Sequence, residues 1–208
     1  MATARAGGSL TELAKLGFVD LESTLPKLDK LVASVGDAGR AAFAWLAKSA
    51  NPDQALNGLL DLSEASLPQL KKLLKQPESA QRLVMTIGAS SALIDVLRRA
   101  PSLLAVFEKS QRDLPTLETM TQVFTKRAIE AFGAQNQVEQ GWNALRLAYR
   151  EELIRVSAFD VSSENPQLQF PLVSAHLADM AGAALDAALT LARLELVRSS
   201  EHGVFTQA

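Results

Sequence analysis

Leucine and its apolar companions recur at intervals of three and four along almost the whole chain, interrupted chiefly by glycine, proline, asparagine and serine. That period puts apolar side chains on one stripe of a helix, whereas a half-buried strand would alternate every second residue. The expected fold class is therefore all-α: an array of short helices over residues 1–135, then a pair of long antiparallel helices over 136–208. With 208 residues, 48% of them apolar, the chain can bury a core without staples. It contains no cysteine, which excludes disulfides, thiolate metal sites and cysteine nucleophiles. Lys+Arg number 21 against 23 Asp+Glu, for a net charge of −2, which argues against a nucleic-acid binder.

The stretch Met1–Gly8 lacks the apolar run of a leader, and the richest apolar stretch, Leu177–Leu191, is broken by Asp179 and Asp186. No membrane partner is expected, and the cytoplasm is the expected location.

Punctuation residues divide the first part. Ser9-Leu-Thr-Glu12 spells a capping box for a first helix ending near Gly17. Leu21, Leu25, Leu28, Leu31, Val32 and Val35 line one stripe of a second helix that stops at Gly36, with Pro26 tolerable only near its start or at a kink. Asp37–Lys48 carries Phe43 and Trp45. Asn51-Pro52-Asp53 combines a cap, a first-turn proline and an acid at the positive helix end. Leu56, Leu59, Leu60 and Leu62 follow, and Ser66 opens another helix with Leu67, Leu70, Leu73 and Leu74 inward. Pro77 starts the next, ending at Gly88; Ser90 or Ser91 caps a short successor, and Pro101 starts one more.

The second part is longer in scale. A helix from Leu117 to Phe132 is expected to close at Gly133, and Asn136-Gln-Val-Glu139 to cap one running to Asp160. Trp142, Leu145, Tyr149, Leu153 and Val156 form its apolar seam. After a polar loop, Val161–Gln169, a helix of about 40 Å is expected from Pro171 to Val197. Its inner stripe reads as Ala181, Ala184, Ala188 and Ala192 alternating with Leu177, Leu185 and Leu189, small enough for close helix approach.

Catalytic constellations are scarce. The chain has 2 histidines, His176 and His202. His176 with Asp179 could offer two metal ligands from one helix face, but without a further ligand motif it reads better as a partly buried or capping histidine. His202 reads as a solvated residue. Gly7-Gly8 and Gly182 belong to no phosphate-binding spelling, and Gly182 reads as a close-packing position. Arg146 and Arg150, one turn apart, form the candidate anion or partner contact. Glu151 and Arg155 read as an ordinary surface pair, Arg98-Arg99 as cations suited to a helix C-terminus, and Trp45 and Trp142 as core anchors. No residue is assigned a catalytic, cofactor-binding or metal-binding role.

Several blocks carry a family resemblance. Ala50-Asn-Pro-Asp-Gln-Ala-Leu56, then Arg82-Leu-Val-Met-Thr-Ile-Gly-Ala-Ser-Ser-Ala-Leu93 and Pro101, resemble the N-terminal region of glutamine synthetase adenylyltransferases. Ala144–Arg155 leading to Asp160, with Leu177-Ala-Asp-Met-Ala and Ala184-Leu-Asp-Ala-Ala-Leu189, is similar to the two helices before that family's first catalytic core. The resemblance implies a bifunctional enzyme that attaches AMP to a tyrosine of glutamine synthetase and removes it by phosphorolysis, using ATP and Mg. It also implies contact with glutamine synthetase and a nitrogen-signalling regulatory protein. The family's glycine-lysine loop and Ser-Asp-x-Asp motif are not in this sequence, so no catalytic residue carries over. The expectation is a helical fragment of the adenylyl-removing half, inactive alone, scaffolding a nucleotidyltransferase core absent from this chain. The alternative is a stand-alone helical protein-interaction adaptor.

Overall fold

The computed structural model describes residues 10–108, 113–135 and 137–201, without the side chains of 40, 41, 134, 135 and 201. Among the described residues every regular element is a helix. The Ser9 half of the expected first cap and the Asn136 cap lie outside them.

One compact unit holds α1 (Leu10–Lys15), α2 (Leu21–Val35), α3 (Asp37–Leu46), α4 (Pro52–Leu74), α5 (Pro77–Ala89), α6 (Ser91–Arg99) and a 3₁₀ helix (Pro101–Glu108), together with residues 157–166. The helix starts follow local chemistry. Asn51 accepts the Gln54 amide at 2.9 Å with Pro52 in the first turn of α4, and Ser90, not Ser91, caps α6 by accepting the Leu93 amide at 3.4 Å. Pro26 sits within α2, which runs on past it to Val35. Ser66 breaks α4 with φ −159° and ψ 69°, so the element is two helices meeting at a kink, and the second begins at Ser66 as expected.

α4 is the hub, packed against α2, α3, α5, α6 and the 3₁₀ helix. Leu56, Leu59, Leu62, Leu70, Leu83 and Leu97 are fully enclosed. In the 3₁₀ helix, whose side chains three apart eclipse one another, Leu104 and Phe107 fall on one face, and both are fully buried. Trp45 is only half-buried, its ring 5.0 Å from the Lys48 ammonium, so it covers the core edge rather than anchoring the centre.

The second unit holds residues 113–156 and those described from 167 onward: α7 (Leu117–Gln135), most of α8 (Val138–Val161) and most of α9 (Pro166–Glu201). Gly141 of α8 lies beside Leu191 of α9, and Glu152 beside His176, so partner numbers fall as α8 advances and the two long helices are antiparallel. α7 joins them: Met120, Phe124 and Ala128 share one core with Leu145, Ala148, Met180 and Ala183. That shared core places α7 with the long helices, so the compact units do not divide at the expected 135/136 boundary.

Three further expectations differ. α7 runs through Gly133 to Gln135, because a lone glycine weakens a helix without forcing it to stop. The loop after α8 spans only residues 162–165: Pro166 is the first residue of α9, where its missing amide costs nothing. The inner stripe of α9 is His176, Met180, Ala183, Ala187 and Leu191, while Leu177, Ala181, Leu185 and Leu189 are exposed. Apolar residues surround this helix on most sides, so spacing alone could not select the buried face.

Candidate functional site

The α8–α9 pair carries a groove of about 530 Å³ with Trp142, Leu145 and Tyr149 on the α8 wall and Ala181, Ala184, Leu185 and Ala188 on the α9 wall. Trp142 is half-buried and forms part of this wall as well as flanking the core. Arg146 and Arg150 both line the groove from α8. The Arg146 guanidinium is engaged, donating to Asn143 Oδ1 at 2.8 Å and Glu139 Oε1 at 3.2 Å. Arg150 is exposed and makes no hydrogen bond or ion pair with any described residue. The structure thus brings the two arginines to the edge of one apolar depression.

Beneath this surface lies a polar chain that crosses the bundle. His176, only 5% exposed, donates from Nε2 to Glu152 Oε1 at 2.8 Å; a carboxylate oxygen can only accept, so this nitrogen carries the proton. Glu152 Oε2 takes Arg155 Nε at 2.8 Å, Arg155 reaches Glu151 at 3.2 Å, and Glu151 takes Arg127 of α7 at 2.6 Å. His176 is therefore a buried histidine paired across helices, as the favoured reading had it, and its Nε2 faces Glu152. Glu151 and Arg155 are half-buried members of the same chain rather than a solvated pair, because Arg127 and Glu152 hold them against the bundle. Glu152 was not singled out in the sequence. Its spacing from Leu145, Ala148 and Val156 puts it on the buried face, and that was the available signal.

The first unit offers a second depression, about 350 Å³, lined by Asp61, Glu64, Ala65, Asp95 and Arg98. Two of its three acids are already engaged: Glu64 takes Lys30 Nζ at 2.9 Å and Asp95 takes Arg98 at 3.2 Å. The hydrogen bond and charge of Lys30 hold the Glu64 carboxyl below its ordinary 4.5. Among the described residues no three His, Asp or Glu side chains converge as metal ligands. His202 and Gly7-Gly8 lie outside the described residues.

The block Gly88–Leu93 forms a corner. α5 and α6 bend by 118° across Ser90, and Gln54 donates to Ile87 O at 2.8 Å to tie the corner to α4. A Cβ at Gly88 would fall 2.6 Å from Ser49 Cβ, so glycine is required for this approach. Arg82 donates to Phe107 O at 2.7 Å, anchoring the end of the 3₁₀ helix, and burial pulls its guanidinium below the usual range against the opposing pull of Glu78. These residues build packing. At Gly182, by contrast, an added Cβ would meet only Leu117 Cδ1 at 3.6 Å, an ordinary contact, so the close-packing glycine of this unit is Gly141. No described helix is by itself long and apolar enough to cross a membrane.

The described residues thus define an all-helical packing module with an arginine-edged apolar groove. In sequence the chain is homologous to part of the bifunctional glutamine synthetase adenylyltransferase/adenylyl-removing enzymes. It is 35% identical over 202 residues to that enzyme of Leifsonia xyli subsp. xyli, covering 96% of this chain and 20% of the relative. It is 30% identical over 213 residues to that of Bifidobacterium longum subsp. infantis (95% and 20%), and 31% over 196 residues to that of Cutibacterium acnes (88% and 19%). The chain spans about a fifth of the length of the curated relatives it matches. No family model matches it, and no solved structure matches it.

Proposed function

We propose that this chain is the N-terminal helical part of a glutamine synthetase adenylyltransferase, in the adenylyl-removing half. In that role it scaffolds the nucleotidyltransferase core and contacts glutamine synthetase or a nitrogen-regulatory protein. The observation that carries this reading is identity of 35% spread over 96% of the chain, with only a fifth of the relative covered. In this reading ATP and Mg bind in the parts of the enzyme outside this chain, which works in the cytoplasm. Arg146 and Arg150 are the candidate anion or interface contact: guanidinium groups beside aromatic and apolar surface match the composition of interface centres.

Two measurements test it. The reading frame beyond Ala208 is expected to continue into a glycine-lysine loop and a Ser-Asp-x-Asp segment; a stop codon there overturns the fragment reading in favour of the adaptor. The purified chain is expected to release no AMP from adenylylated glutamine synthetase with Mg and phosphate, yet to bind that protein or the regulator in a calorimetric titration. Release of AMP by the chain alone contradicts the scaffold role, and absence of binding to both glutamine synthetase and the regulator contradicts the partner role.

A further inference from the structure

The outward face of α9 is apolar for most of the helix. Phe170, Ala178, Ala181, Leu185, Ala192 and Leu196 fall within an arc of about 80° around it, which holds no Asp, Glu, Lys or Arg but includes Ser174 and has Glu195 at its edge. The large side chains are bare: Phe170 is 69% exposed and Leu185 72%. Isolated exposed leucines are ordinary, but a continuous uncharged helix face marks an interaction surface.

This face runs into the α8–α9 groove, and the two groove walls share a register. Trp142, Leu145 and Tyr149 on α8, like Ala181, Ala184 and Ala188 on α9, are spaced three then four apart. That is the spacing with which two helices seat the ridge of a third, and the small residues on α9 let it approach closely. The groove edge on α8 carries Arg150 with no partner among the described residues, so the seat is polarised toward an acidic side chain.

We infer that the occupant is an amphipathic helix of the same enzyme's polypeptide outside this chain, with apolar residues at three-and-four spacing and an acidic residue against Arg150. The inference rests on the functional reading above. The matched relatives have about four-fifths of their length outside the region shared with this chain, which supplies such a segment.

Thiol labelling tests it, since the chain has no cysteine of its own. Leu185→Cys and, as a control on α4–α5, Lys75→Cys are introduced into the 208-residue chain and into the polypeptide encoded by the continued frame. N-ethylmaleimide incorporation is then followed peptide by peptide by mass spectrometry. In the isolated chain both sites are expected to label at similar rates. In the longer polypeptide Leu185→Cys is expected to slow by about tenfold or more while the control is unchanged, and Arg150→Glu to restore part of the rate. Equal Leu185→Cys rates in the two contexts overturn the inference and leave the fragment reading intact. Slow labelling in the isolated chain that deepens with concentration assigns the face to a second copy and also overturns it. A frame that stops at Ala208 removes the occupant and the fragment reading together.

Discussion

The unit centred on α4 and the unit of α7, α8 and α9 are both helical, yet they close their cores by different means. Around α4 the buried volume is leucine: Leu56, Leu59, Leu62, Leu70 and Leu97 fill the space between short helices, and the few buried polar groups are mostly hydroxyls bonded to nearby carbonyls, such as Ser49 and Ser63. Between α7, α8 and α9 the core mixes Met120, Phe124, Leu145, Met180 and Leu191 with four alanines, Ala128, Ala148, Ala183 and Ala187, and a buried Glu152–His176 pair joins α8 to α9. A leucine core stabilises by area removed from water. An alanine-rich core yields less area per residue and depends on how closely the backbones approach. The second kind of packing leaves large side chains for the outside of the bundle, which is where Leu185 and Leu189 are found.

The strongest way to break this contrast is to change volume in opposite directions. Leu59→Ala is expected to cost about 2–5 kcal/mol by leaving a cavity, whereas Ala187→Leu should cost about 1–3 kcal/mol by forcing α9 off its neighbours. Denaturant unfolding of both variants, with amide exchange to localise the damage, checks the pair. If Ala187→Leu stabilises the chain, the α7–α9 core is looser than its contacts indicate.

The polar chain sharpens the comparison at about the same scale. Glu152→Ala leaves the buried His176 Nε2 and Arg155 Nε without their acceptor and is expected to cost about 3 kcal/mol, near the lower bound for a broken buried pair. Glu152→Gln, which keeps an acceptor oxygen for one of the two donors, should recover part of that loss. Equal loss in both variants would mean that the charge, rather than the hydrogen bonds, holds the pair.

Gly141→Ala comes next. Its Cβ would lie 2.8 Å from Leu191 Cδ2 and 3.0 Å from the Ala128 carbonyl oxygen. The crowding costs about 1–3 kcal/mol, against about 1 kcal/mol gained from better helix propensity, so a net loss of about 1 kcal/mol is expected. The same substitution at Gly182, where the new methyl meets ordinary contact, should be neutral or stabilising.

What could be read from the sequence divides along the same line. Helix starts at Asn51, Pro77 and Ser90 and the stop at Gly36 were legible because a cap or a break is decided within a few residues. The leucine stripes were legible because α4 to α6 each have one apolar side. In α9 the period gave a helix but not its orientation: Ala181 and Ala183 are equally good core residues, and the choice between them is made by α7 and α8. Glu152 was missed for a related reason, since a carboxylate reads as solvent-facing until its partner is known, and His176 lies 24 residues away. At the candidate site, the pairing of Arg146 with Arg150 followed from helix geometry, whereas the groove they edge needed two helices in place.

The smallest effect belongs to the surface of the leucine unit, where α2 and α4 are joined by Lys30 and Glu64 at 2.9 Å, with both side chains more than half exposed. The Glu64 carboxyl titrates below its ordinary 4.5 because it accepts a hydrogen bond from Lys30 and sits beside its charge. A carboxyl whose value is lower folded than unfolded adds stability above the unfolded value and loses it as the pH falls through the folded one. The contribution should therefore be constant at neutral pH and disappear in acid below 4.5. Lys30→Met should return the Glu64 midpoint toward 4.5, read by NMR titration of its side-chain carbon, and should flatten that part of the stability profile. Added salt should shrink the difference between the two proteins, because the pair lies in water. A Glu64 midpoint unmoved by Lys30→Met would show that the ion pair is not populated in solution and that α2 is held on α4 without it, by buried side chains such as Leu28 and Leu31 and by the Thr24–Asp53 hydrogen bond.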